Sequence, residues 1–290
     1  MSTIDKTSPF PALNFPSEEE MRERSRARRA AALAPFRDAT SGAFIGVSLG
    51  AWLEHAQSAG VPYIPAVELA RIDRETFLRS ERTIDTHRSV WEQFFGALRA
   101  TPAGHMVRWD ACAGLDLKMA MARGEAFGDH ALQLHPDDPR AFDILYEYPA
   151  DDLRVWARPW MDAMQHEGYP VEYRAFVQDS KLLGIANYYP QRALPDTPAT
   201  RTQVQQVEQL TQRLVAHLDA AGQYPWMVSY ERGFKPRTVN ATLDFLVTQD
   251  GVVVLLEAGP PFGAGAHPCS LLDQPISGLA LGLAPGVKLR

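Results

Sequence analysis

Residues 241–259 read A-T-L-D-F-L-V-T-Q-D-G-V-V-V-L-L-E-A-G, two apolar runs flanking Asp250-Gly251. An Asp-Gly pair in that setting predicts a β-hairpin with a two-residue type I′ loop, because this turn needs φ > 0 at both central positions. Gln249 then pairs with Val252, and the residue numbers of every cross-strand pair sum to 501. Asp244 and Glu257 fall opposite each other in that register, with Cβ atoms roughly 4.5–5.5 Å apart. The run V-V-V-L-L ahead of Glu257 reads as buried on both faces. Like charges so placed repel, and a low-dielectric setting strengthens the repulsion. A shared proton, an arginine or a divalent metal would relieve it.

The bulk composition narrows the field. A chain of 290 residues with 46% hydrophobic and 22% charged residues has the make-up of a folded soluble protein with a sizeable core. Its net charge of −6 offers no global attraction to nucleic acid or to anionic membranes. Two cysteines, Cys112 and Cys269, exclude a disulfide framework and most cysteine metal sites. No apolar run approaches the ~20 residues of a membrane helix. The opening M-S-T-I-D-K-T-S-P-F-P lacks the layout of a secretory signal, so a cytosolic protein is the expectation.

Along the chain, residues 1–16 suggest an extended arm. Ser17 and three glutamates open a helix that ends in basic residues, as the helix dipole favours. R-E-R-S-R-A-R-R could bind RNA, but no aromatic platform accompanies it, and a solvated helix face is the better reading. Residues 1–100 are expected to form a largely helical N-terminal lobe. From 101 to 290 strand-like runs dominate, at 105–109, 153–160, 171–178 and 182–189, with a hairpin turn at D-S-K. A helix follows over 198–221, with Val204, Val207, Leu210, Leu214 and Leu218 on one stripe and Gly222 as its stop. The pattern predicts an α+β fold with a largely antiparallel C-terminal sheet.

Strand 171–178, V-E-Y-R-A-F-V-Q, alternates strictly. Val171, Tyr173, Ala175 and Val177 take one face, and Glu172, Arg174 and Phe176 the other. Glu172 and Arg174 could be a structural ion pair, or they could line a cleft. Arg108 ends a strand before the small-residue turn Asp110 to Gly114, and Lys118 lies beyond it. Basic groups around a compact loop suit phosphate oxygens. W-A-R-P-W, with Arg158 and Trp160, suits a segment lying against a flat ring. His267 beside Cys269 shows no oxyanion partner, which disfavours a cysteine nucleophile. This inventory is what a nucleotide–metal site requires, because Mg²⁺ takes one or two carboxylates plus phosphates. A metal is the relief for Asp244 and Glu257 that suits it best.

These stretches resemble the ATP-grasp superfamily. L-D-F-L-V-T-Q-D-G-V-V-V-L-L-E-A-G-P-P is similar to the metal-binding hairpin of D-alanine–D-alanine ligases, in which a Glu follows an Asp by thirteen positions. V-W-A-R-P-W and V-E-Y-R-A-F-V-Q-D-S-K-L-L-G-I-A-N-Y-Y resemble ATP-grasp proteins related to a eukaryotic cell-division-cycle factor that helps assemble a translation initiation complex. Arg108, Lys118 and Arg174 resemble the two arginines and one lysine of a bacterial and phage branch. The resemblance covers roughly 104–275 and implies ATP held between two α+β lobes. It implies Mg²⁺ on Asp244 and Glu257, Arg108 and Lys118 on the phosphates, and Arg158-Pro159-Trp160 along adenine. Glu172 would lie near the ribose, and Arg174 would face the γ-phosphate or an acyl phosphate. The activity implied is ATP-dependent ligation of a carboxylate to an amine or thiol; the alternative is an ATP-binding assembly factor that clamps a protein partner. Gly259 departs from the pattern, which has an asparagine there, and Asn240 and Asn187 are the candidate substitutes.

Overall fold

The computed structural model describes residues 48–73, 101–102, 104–110, 152–189, 194–224 and 237–259, with isolated positions between 17 and 27 and at 92 and 96. The arm at 1–16, the loop carrying Lys118, the helical pattern over most of 89–98, the strand-like run at 226–231 and the segment around His267 and Cys269 lie outside the described residues.

The chain is an α+β fold with antiparallel sheets. β1 (Val67–Asp73), β2 (His105–Trp109) and β3 (Asp152–Pro159) form a three-stranded sheet in the order β1-β3-β2. β4 (Gln165–His166) and β5 (Tyr169–Pro170) make a short ribbon. β6 (Glu172–Gln178), β7 (Lys181–Asn187), β8 (Ala241–Val247) and β9 (Val253–Gly259) form a four-stranded sheet in the order β7-β6-β8-β9. β1 has no counterpart in the sequence reading. Its V-E-L-A-R-I-D is rich in helix formers, and pairing with β3 overrides that preference. Residues 67–73 are thereby built into one sheet with strands that follow residue 101.

The alternation of β6 survives intact. Tyr173, Ala175 and Val177 join Ala241, Leu243, Phe245 and Val247 of β8 in the main core. That face is covered by a long helix, Pro198–Ala221, through Val207, Leu210, Leu214 and Leu218, and by a short helix, Leu49–Ser58, through Trp52 and Ala56. The long helix begins at Thr197, whose hydroxyl accepts from the Thr200 amide while the Thr200 hydroxyl accepts from the Thr197 amide. It ends at Gly222 in the left-handed conformation, φ 62°. Ser17 and Glu20 form the same reciprocal cap, at 2.6 and 3.2 Å. Among the described residues no helix is long and apolar enough to cross a membrane.

The type I′ turn lies at the other hairpin. Asp179 and Ser180, between the paired Gln178 and Lys181, have φ of 51° and 60°. Asn240 pins this turn by accepting from the Asp179 amide at 2.8 Å. The β8–β9 connection is instead a three-residue loop, Gln249-Asp250-Gly251. Thr248 pairs with Val252, and the Gly251 amide donates to the Thr248 carbonyl at 2.9 Å. Gly251 supplies the left-handed residue, φ 83°, that closes such loops. The expected pairing of Gln249 with Val252 is thus corrected by one residue.

Candidate functional site

Asp244 does face Glu257, but by a route that the hairpin signal did not contain. Near the loop the pairs are Val247↔Val253, Leu246↔Val254 and Phe245↔Leu255, whose numbers sum to 500. Between Leu255 and Glu257 the strand bulges at Leu256, and from Asp244↔Glu257 onward the sum is 501. The longer loop and the bulge compensate. The bulge also reverses the alternation of β9. Val253 and Leu255 point into the core, so without the extra residue Glu257 would follow them there. With it, Ala258 enters the core and Glu257 turns to the opposite face beside Asp244.

Each carboxylate carries its own arginine. On β6, Arg174 pairs across to Asp244 and grips both its oxygens, Nε and Nη2 each at 2.7 Å. On β2, Arg108 crosses from the three-stranded sheet to donate to Glu257. Asp244 and Arg108 are buried, while Arg174 and Glu257 retain 11% and 14% side-chain exposure. Of the three possible reliefs for the facing carboxylates, arginines supply the one seen. Arg174 also lies over the Tyr188 ring, 4.7 Å from its centroid.

Arg158 sits on the same face of β3 as its partners there, since Met106↔Arg158 and Arg108↔Trp156 are neighbouring pairs. Its side chain is turned inward. It donates to the carbonyl of the bulged Leu256 at 2.6 Å and to that of Ile64 at 2.9 Å. Its Nε has no acceptor among the described residues. Burial, and then the nearby Arg108, lower its pKa to about 9 against the opposing pull of Glu257, so it remains a cation at neutral pH.

Glu172, expected near a ribose, lies on the polar face of β6 and accepts from the Tyr189 hydroxyl at 3.3 Å. Burial, followed by the charge of Asp244 at Tyr188 and of Glu172 at Tyr189, raises both phenol pKa values, so both remain protonated donors. Trp160 follows β3, and its amide donates to the Gly104 carbonyl at 2.7 Å. The segment after it runs beside the β8–β9 loop, with the Met164 amide on Val247 and the Gln249 side chain on Ala163. Lys118 lies outside the described residues. The structure therefore brings together Arg108, Arg158, Arg174, Asp244 and Glu257, with Glu172 on the same face as Arg174.

Sequence reasoning missed two participants. Tyr188 and Tyr189 read from the sequence only as strand residues, and nothing in the alternation marks them. Thr242 pairs with Gly259, and a Cβ there would lie 2.8 Å from the threonine hydroxyl oxygen. An asparagine at 259 would therefore require Thr242 to shift. Asn240 is committed to the 179–180 turn, and Asn187 donates to the Tyr189 carbonyl at 2.8 Å.

The donor set fits a phosphate-bound divalent ion rather than a protein-only cage. Among the described residues no group of three or more His, Cys, Asp or Glu could hold a metal. Two facing carboxylates with guanidinium groups at their flanks match the one or two protein ligands that Mg²⁺ takes when phosphates supply the rest. Each carboxylate has about four lone-pair positions, so an arginine partner does not exhaust it.

No protein-family model matches the sequence, and no curated protein does. Solved structures do. The chain is similar to N5-carboxyaminoimidazole synthase from Aspergillus clavatus, solved with ADP and an aminoimidazole ribonucleotide, at 13% identity and TM-score 0.36 over 76% of this chain and 46% of that one. It is similar to D-alanyl-alanine synthetase A from Vibrio cholerae at 13% identity and TM-score 0.35, over 79% and 59%. It is also similar to Cdc123 from Schizosaccharomyces pombe at 12% identity and TM-score 0.43, over 76% and 87%. The chain thus spans less than two thirds of either enzyme. Likenesses at these scores carry no argument about what the chain does.

Proposed function

We propose that the chain is an ATP-grasp protein that binds ATP with Mg²⁺ between its two larger sheets and ligates a carboxylate to an amine or thiol. The observation that supports this most is the row Arg174–Asp244–Glu257–Arg108, in which two sheets contribute a pair of facing carboxylates flanked by arginines to one buried polar face. Asp244 and Glu257 would hold the metal, whose role when bound is to neutralise phosphate charge. Arg108 and Arg174 would bind the phosphate oxygens, joined by Lys118. The segment from Arg158 to Trp160 would flank the adenine, and Glu172 would accept from the ribose.

In the reaction an oxygen of the substrate carboxylate forms a bond to the γ-phosphorus as the bond to ADP breaks. The nucleophile then attacks the acyl carbon, and inorganic phosphate leaves. Such chemistry asks the protein for positioning and charge neutralisation rather than a side-chain nucleophile. Arg174 would stabilise the transferring group. The substrates are a carboxylate and a nucleophile small enough to reach this row, and a cytosolic setting suits the use of ATP.

A second reading is an ATP-binding assembly factor that clamps a protein partner without ligation. Gly259 favours it, because a glycine adds no further side-chain oxygen and a larger residue would crowd the Thr242 hydroxyl.

Thermal unfolding with ATP or ADP, with and without Mg²⁺, tests the common ground. A ligand at 100 times its Kd stabilises by about 2.7 kcal/mol. The wild type should gain a Mg²⁺-dependent increment that Asp244→Asn loses; no response of the wild type to any nucleotide would sink both readings. ADP release stimulated by an amino acid would favour the ligase, and its absence across an amino-acid panel would favour the clamp.

A further inference from the structure

We infer that Arg174 and Arg108 are internal counter-ions which the site exchanges for ligand, so that it takes a divalent cation only together with a polyphosphate. This rests on the nucleotide reading above.

The charges of the row decide it. Arg108, Arg158 and Arg174 contribute +3, and Asp244, Glu257 and the buried Glu172 on the same face contribute −3, so the site is balanced without ligand. Asp244 has both oxygens gripped by Arg174, and Glu257 accepts from Arg108. A divalent cation arriving alone would meet carboxylates already neutralised and leave an excess of +2 on a buried face, where charges are poorly screened. A polyphosphate arriving alone would leave an excess of negative charge and would lie against two carboxylates.

Arriving together they avoid both penalties. The planar guanidinium fork fits a phosphate as well as it fits a carboxylate, so Arg174 and Arg108 pass their N–H groups to phosphate oxygens without losing donors. Asp244 and Glu257 are then released toward the cation. Arg158 stays on the Leu256 and Ile64 carbonyls and remains a cation beside the row throughout. Because coupling between two ligands is reciprocal, each must raise the affinity for the other by the same factor.

The test is Mn²⁺ binding, read from the electron paramagnetic resonance of free Mn²⁺, on wild type, Arg174→Met and Arg108→Met, each with and without ADP. Wild type should bind Mn²⁺ at least tenfold more tightly with ADP than without. At least one variant, having freed a carboxylate, should bind Mn²⁺ without nucleotide tenfold more tightly than wild type, and its enhancement by ADP should shrink. Arg108→Met is the safer variant, because Glu257 is the less buried carboxylate. Wild type that binds Mn²⁺ equally well with and without ADP, yet still binds ADP, would overturn the exchange and leave the nucleotide site standing. Variants that fold and bind no more Mn²⁺ than wild type would overturn it too. Wild type that binds neither Mn²⁺ nor ADP would remove the nucleotide reading itself.

Discussion

Gly259 lies directly across from Thr242, so close that a single added methyl would sit 2.8 Å from the threonine hydroxyl oxygen. The near atom is a side-chain oxygen at the end of the β8–β9 ladder, so relief needs the threonine side chain to turn or the strand end to shift. Gly259→Ala should therefore destabilise by about 1–3 kcal/mol, the usual range for overpacking. In a Thr242→Ala background the same change should lose less than half as much. Urea midpoints for the four proteins form the cycle, and purely additive effects would contradict the contact.

Arg158 holds the bulge that turns Glu257 to the polar face. Arg158→Met would leave the Leu256 and Ile64 carbonyls without their donor, with an expected loss of about 2–4 kcal/mol. The metal-dependent part of any nucleotide-induced stabilisation should fall more than the metal-free part, because the carboxylate row depends on the bulge. Equal loss of both parts would assign Arg158 to general packing alone.

His55 of the short helix and His217 of the long helix meet at 3.2 Å through Nδ1 and Nε2. Burial, then His217, lowers the pKa of His55 from its ordinary 6.5, against a small opposing pull from Glu54. Above 6.5 the group is neutral whether folded or unfolded and has no effect. As pH falls below 6.5 the unfolded chain takes up a proton that the folded one resists, so stability should drop. Tm measured from pH 7.5 to 5 should decline for wild type and decline less for His217→Gln.

Asp110 follows β2 and accepts from the Leu49 amide and from the Trp156 indole, both at 2.8 Å. Burial raises its pKa despite those donors. A raised value in the folded state means this charge weighs against folding as pH rises through it. Asp110→Asn keeps an acceptor oxygen and discards the charge, so it should match or exceed wild-type stability at pH 7. Asp110→Ala should lose about 1–3 kcal/mol. Chemical denaturation of both variants separates the acceptor from the charge.

What the sequence could reveal follows from how local each signal is. The alternation of β6 and the stripe and stop of the long helix are encoded within a few residues, and all appear as read. β1 is invisible because its strand character comes from β3, roughly eighty to ninety positions later. Asp250-Gly251 announced a hairpin but not its loop length, since a glycine with φ > 0 serves two-residue and three-residue loops alike. The facing of Asp244 and Glu257 was anticipated with an unbroken ladder, and the real ladder reaches it through two irregularities. Arg158 illustrates the remaining gap. Its place beside a tryptophan suggested a ligand, whereas its partners are two backbone carbonyls that no sequence pattern announces.

The bulge at Leu256 makes strand length and loop length a matter of parity. One surplus residue in the loop and one in the strand cancel, so the two carboxylates meet; either surplus alone would send Glu257 to the wrong side of the sheet. Deleting Leu256 should therefore do more harm than replacing it. The chain can tolerate a change of one residue in this hairpin only if a second, a few positions away, restores the count.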